Sequence, residues 1–156
     1  PGTGTTFSVY IPRYAESITE EEGEDEQKVV SRGSETILIV EDEQILLNLG
    51  KAVLKHHGYM VLDAPSPNKA IRLVNEYQEQ IDLLITDVVM PEMNGRELAE
   101  IIVGIKPGIK CLFMSGYATD MITNRGALPE GTHFIQKPFS TRELAVKVRE
   151  ILENRD

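Results

Sequence analysis

Five short apolar runs recur along this chain at nearly even intervals, and that spacing restricts its possible folds more than any other feature. The runs are Thr36–Val40, Tyr59–Leu62, Ile81–Thr86, Lys110–Met114 and His133–Gln136, and their starts lie 22 to 29 residues apart. Such an interval holds one strand, one helix and two short connections, which is a βα unit. Several runs, Ile37-Leu38-Ile39-Val40 among them, are apolar without alternation. A strand of that kind is buried on both faces, as in a parallel sheet covered by helices above and below. All are far shorter than the roughly 20 apolar residues a helix needs to cross a bilayer.

The segments between the runs carry helix signals. Ile45, Leu49, Ala52 and Val53 recur at helical spacing, and Gly58 follows as a stop. Ser66-Pro67 supplies a cap and a first-turn proline ahead of Ala70, Ile71 and Val74. Leu98, Ile101, Ile102 and Ile105 form an apolar stripe that ends before Pro107-Gly108. Thr119–Leu128 has the faintest helical pattern, and Ser140-Thr141-Arg142-Glu143 reads as a capping box before Leu144, Val148 and Ile151. The expected fold class is α/β: a doubly wound, five-stranded parallel sheet, flavodoxin-like, with strand order 2-1-3-4-5.

Charge divides the chain. The net charge is −9, yet the seven acids between Glu16 and Gln27 account for most of it, and the rest of the chain carries −2. A block of like charges with few apolar residues is solvated and serves as a linker. Residues 15–35 therefore read as an acidic linker and residues 36–156 as the α/β domain, with residues 1–14 ahead of the linker. No basic footprint for nucleic acid is present. The single cysteine, Cys111, forms no disulfide framework and fits a reducing compartment. The chain opens at Pro1 with no signal peptide, and its first methionine is Met60. A piece of a longer protein is expected, cytoplasmic and without membrane contact of its own, although the parent could be membrane-anchored.

In sheets of this class, function collects at the carboxyl ends of the strands. The first run ends in Glu41-Asp42-Glu43, the third in Asp87, the fourth in Met114-Ser115-Gly116 and the fifth in Lys137-Pro138. The order 2-1-3-4-5 gathers these groups at one edge. Crowded carboxylates repel unless a cation sits among them. Mg2+ suits such a place, because it accepts a few carboxylates while keeping waters and phosphate oxygens. A lysine and a hydroxyl complete a pocket for a tetrahedral, multiply charged anion. The chemistry indicated is phosphoryl transfer onto a carboxylate. His56, His57 and His133 have no partners at metal-ligand spacing.

On these residues, positions 36–155 resemble the receiver domain of bacterial two-component response regulators. The matching pieces run from Ile37 to Glu43, from Asp82 through Asp87 and Pro91 to Gly95, from Met114 to Ala118, and from Phe134 to Phe139. The resemblance implies that Asp87 is the phospho-acceptor, an aspartyl nucleophile. It implies that Glu41, Asp42, Asp87 and the backbone carbonyl of Val89 hold Mg2+. Lys137 would pair with phosphoryl oxygens, next to a cis bond to Pro138. Ser115 would donate its hydroxyl to the phosphate, and Ser115 with Phe134 would form the conformational switch. Glu41 departs from the family's usual aspartate, which leaves open whether it meets Mg2+ directly or through water. Glu43 is expected to face solvent. Val89 and Tyr117 lack the amide or carboxylate that assists hydrolysis in short-lived relatives, so slow loss of phosphate is expected.

Residues Gly2 to Pro12 resemble the last strand of a histidine-kinase ATP-binding domain. The parent then resembles a hybrid sensor histidine kinase with this receiver at its carboxyl-terminal end. A phosphohistidine domain in cis would supply the phosphate, and a histidine phosphotransfer protein would be a further partner. The resemblance leaves open whether the fragment counts as an enzyme: it carries acceptor and self-dephosphorylation chemistry, while the parent would be the kinase. Rival functions fit these residues less well. An aspartyl phosphatase of the haloacid-dehalogenase type wants a second aspartate two places after the nucleophile, where this chain has Val89. A docking module that is never phosphorylated has no need of Asp42, Asp87 and Lys137 together.

Overall fold

The structure, a computed structural model, describes residues 33–116 and 132–154, together with Gly4. The acidic stretch, Tyr117 and the expected helix Thr119–Leu128 lie outside the described residues. Elements alternate as β1 (Thr36–Val40), α1 (Gln44–His56), β2 (Met60–Ala64), α2 (Pro67–Glu76), β3 (Leu83–Asp87), α3 (Gly95–Ile105), β4 (Lys110–Ser115), β5 (Thr132–Gln136) and α4 (Thr141–Glu153). The five strands form one sheet in the order β2-β1-β3-β4-β5 with every pair parallel. The expected α/β fold and strand order are both present.

The uninterrupted apolar runs have a direct structural meaning. Successive side chains of a strand point to opposite faces. Leu38, Val40, Leu84, Cys111 and Phe113 pack on one face with α2 and α3, through Ala70, Val74, Leu98, Ala99 and Ile102. Ile37, Ile39, Leu83, Ile85, Leu112 and Met114 pack on the other with α1 and α4, through Leu47, Leu54, Leu144, Val148 and Ile151. Full burial of each such aliphatic side chain stabilises the fold by about 1.5–3 kcal/mol. One core lies on each side of the sheet.

The helix ends follow their local chemistry. The Ser66 hydroxyl accepts from the Lys69 N–H ahead of Pro67, and the Asn94 side chain accepts from the N–H groups of Arg96 and Glu97. Ser140 and Glu143 form the reciprocal capping box. Gly58, just past α1, has φ +91°, where a side chain would be strained.

The two expected helices form, and the sheet buries only part of each apolar stripe. On α1 the buried residues are Leu47, Gly50 and Leu54, whereas Ile45 is 75% and Leu49 52% exposed and Ala52 is exposed too. The helix is apolar round much of its circumference, so periodicity alone finds overlapping stripes. Gly50 lies on the buried side, where a Cβ would lie 2.5 Å from Ile39 Cδ1. On α3 the buried set is Leu98, Ala99 and Ile102, while Ile101 turns outward. Two strands also begin later than their apolar runs. Tyr59 and Ile81 are buried ahead of β2 and β3, packed in the core but outside the ladder.

The amino end of the sheet is stitched shut. The Asp82 carboxylate accepts from the Thr36 N–H at 2.8 Å, and Lys110 Nζ donates to the carbonyls of Ile151 and Asn154 at the end of α4. The Gly33 N–H donates to the His57 carbonyl at 2.9 Å, and Glu35 pairs with Arg149 of α4 at 2.9 Å. A Cβ on Gly33 would lie 1.9 Å from the Tyr59 ring. Among the described residues no helix is long and apolar enough to cross a membrane.

Candidate functional site

Parallel register brings the carboxyl end of every strand to the same edge. Val40 lies beside Thr86, Asp87 beside Met114, and Ser115 beside Gln136, so residues that end or directly follow β1, β3, β4 and β5 meet there. Glu41 follows β1, Asp87 and Ser115 end β3 and β4, and Lys137 follows β5.

Lys137 ties the edge together. Its Nζ lies 2.7 Å from Glu41 Oε2 and 2.7 Å from Asp87 Oδ2. Its backbone N–H donates to the Ser115 carbonyl at 2.7 Å, and its bond to Pro138 is cis, as expected. Burial works against the ammonium charge, yet the bonds and charges of Asp87 and Glu41 outweigh it and hold the Lys137 pKa above its ordinary value. Glu41 is 2% exposed. Burial pushes its carboxyl up, Lys137 opposes the rise, and the charge of Asp87 adds to it.

The acids share one small space. Oxygens of Glu41, Asp42 and Asp87 all lie within 4.8 Å of one another, grading from buried Glu41 through partly buried Asp87 to exposed Asp42. Three carboxylates face one ammonium, so negative charge is in excess at a hard, all-oxygen donor set with an open side. That fits a divalent cation of the Mg2+ kind, which keeps waters on its free positions. The three histidines are not part of this cluster.

The remaining expected residues are placed as follows. Val89 is 68% exposed, and its N–H donates to Asp87 Oδ1 at 3.3 Å. Glu43 faces solvent and caps α1 without a side-chain bond, while its N–H donates to Glu41 Oε1 at 3.3 Å. Ser115 is buried at the end of β4. Phe134 is partly buried in β5 and stacks on Phe113, with ring centroids 5.4 Å apart.

Two contributors were not singled out from sequence. Gly95 opens α3 against the acceptor strand: a Cβ would fall 2.0 Å from the Asp87 carbonyl oxygen, so glycine alone lets α3 start there. The buried Thr86 hydroxyl donates to that same carbonyl at 3.1 Å. The Asn94-Gly95 pair was a visible signal for the first, since a cap followed by glycine implies close approach. A threonine inside an apolar run gave none for the second.

Known proteins share this architecture. A family model described as response regulator receiver domain matches residues 37–149. Across 162 residues and 99% of its length, the chain is 36% identical to the sensor kinase CckA of Brucella abortus, of which it spans 17%. It is 32% identical over 116 residues to the response regulator receiver protein CpdR of the same organism, covering 74% of this chain and 95% of that protein. Among solved structures, the receiver domain from hybrid histidine kinase CckA superposes with a TM-score of 0.65 at 32% identity, over 76% of this chain and 99% of that one. A receiver protein from Sinorhizobium medicae gives a TM-score of 0.68 at 28% identity, over 81% and 100% of the two chains. With the strand order and the acidic edge already established, a match of this extent means that the chain belongs to the response regulator receiver domain family.

Proposed function

We propose that this receiver takes a phosphoryl group from a phosphohistidine onto Asp87, in a Mg2+-dependent step. The observation that carries the reading is the Lys137 ammonium bound at 2.7 Å to an Asp87 carboxylate that also belongs to a three-acid cluster. Such a carboxylate is open to a nucleophilic role: an oxygen of Asp87 attacks phosphorus, and the bond from phosphorus to the imidazole nitrogen breaks. The imidazole leaves with that electron pair, and a mixed carboxylic–phosphoric anhydride forms. Lys137 stands where charge gathers on the phosphoryl oxygens. Asp42 and Asp87 would hold Mg2+ together with the backbone carbonyl of Val89 and with Glu41, directly or through water. The ion would supply charge neutralisation between carboxylate and phosphate.

Ser115 and Phe134 form the proposed switch. A phosphate on Asp87 would draw the Ser115 hydroxyl, and the Phe134 ring would follow from its stack on Phe113. The same reading makes residues 36–156 the receiver, residues 15–35 an acidic linker, and residues 1–14 the end of a kinase ATP-binding domain in a cytoplasmic portion of the parent. The likeness to sensor kinases supports a phosphohistidine domain in cis as donor, with a histidine phosphotransfer protein as a further partner.

The test is labelling of the purified chain with acetyl phosphate. One phosphoryl group should add to the intact mass when Mg2+ is present, and none after chelation or in Asp87→Asn. Unchanged mass under all conditions would support instead a docking module that never carries phosphate.

A further inference from the structure

Glu41 already uses both of its carboxylate oxygens. Oε2 accepts from Lys137 Nζ at 2.7 Å, and Oε1 accepts from the Glu43 N–H at 3.3 Å. Its side chain is 2% exposed. The other two acids of the cluster differ. Asp87 gives Oδ2 to Lys137 but has only a long 3.3 Å bond on Oδ1. Asp42 is exposed and makes no hydrogen bond or ion pair among the described residues. The inner acid is engaged with the lysine, and the outer two are open.

The length of the glutamate arm sets this contact. An aspartate at this position would end one carbon–carbon bond short, about 1.5 Å. A 2.7 Å contact lengthened by that amount is no longer a hydrogen bond. The consequence grows once Asp87 is modified. Bonding one of its oxygens to phosphorus removes the full carboxylate charge that holds Lys137 on that side. Glu41, on the opposite side, keeps the ammonium at the edge beside the new phosphoryl oxygens.

We infer that Glu41 is a positioning residue for Lys137, holding the ammonium at the acceptor, while Asp42 and Asp87 supply the carboxylates that meet the cation. This adds a division of labour to the proposed acceptor role of Asp87, on which it depends.

Carboxyl carbon shifts of the uniformly labelled native chain, followed during Mg2+ titration, separate the possibilities without any mutation. The Cγ signals of Asp42 and Asp87 should move on binding while the Cδ of Glu41 stays nearly still. Equal movement of all three would make Glu41 a ligand and overturn the inference, leaving the Mg2+-dependent site intact. Stillness of all three would remove the Mg2+ site itself and the inference with it. Variants give an independent reading at saturating Mg2+. Glu41→Asp should slow acetyl-phosphate labelling by about tenfold, the value of one charge-assisted hydrogen bond. Its Mg2+ affinity should stay within about threefold, because the charge is kept. The Lys137 side-chain nitrogen signal should shift in Glu41→Asp and shift less in Glu41→Gln, whose amide oxygen still reaches. Labelling of Glu41→Asp at the native rate, with an unmoved lysine signal, would overturn the inference.

Discussion

Gly95 shows how one missing side chain can set a reactive group. Its Cα faces the Asp87 carbonyl so closely that an added Cβ would lie 2.0 Å from the oxygen. Gly95→Ala must push α3 off the acceptor strand, and overpacking of this kind costs about 1–3 kcal/mol. Urea unfolding should show that loss, and acetyl-phosphate labelling should fall with it. Asn94→Ala, which removes only the cap of α3, should cost about 1 kcal/mol and leave Asp87 in place. A second residue-level test concerns Cys111, whose buried thiol is pushed up from 9.0 to about 11. A group held protonated in the fold stabilises it fully below its unfolded pKa, and that contribution disappears as pH rises through the folded one. The chain should therefore lose stability between pH 9.0 and about 11, by about 2–3 kcal/mol from this group. Comparing urea midpoints across that window in the native chain and in Cys111→Ala isolates the effect. Alkylation of the native thiol at pH 8 should be far slower than in the unfolded chain. The acids were legible from sequence because each ends or follows an apolar run. The Glu41–Lys137 bond was not, because it joins residues 96 apart through the register of a sheet.

At the scale of the element, α1 is the instructive case. Its apolar residues outnumber what one face can bury, and the sheet selects Leu47, Gly50 and Leu54. Leu47→Ala should cost about 2–5 kcal/mol, the range for a buried leucine that leaves a cavity. Ile45→Ala, 75% exposed in the native chain, should change stability by no more than about 0.5 kcal/mol. Thermal or urea denaturation of the two variants tells the faces apart. The caps of α2 and α4 were readable in advance because Ser-Pro and Ser-Thr-Arg-Glu act through neighbours in sequence. The face of α1 was not, since it depends on how Leu47 and Leu54 pack against the folded sheet. Strand order was legible for a different reason: βα spacing and right-handed crossovers leave few arrangements.

On the scale of the whole molecule, the two ends of the domain are fastened together. Glu35 pairs with Arg149 of α4, and Lys110 holds the carbonyls at the end of that helix. Arg149→Met should strip Glu35 of its partner, weaken the fold by about 1–3 kcal/mol and speed hydrogen exchange at the Gly33 and Thr36 amides. Amides of β3 in the centre of the sheet should slow or quicken only with global stability. Exchange at Gly33 no faster than in the native chain would show that the pair does not fasten the entry. The position of this clasp matters for any larger protein that contains the domain. The first strand starts and the last helix ends at the pole opposite Glu41, Asp87 and Lys137. Among the described residues, the acidic edge and the fastened ends of the domain occupy opposite poles.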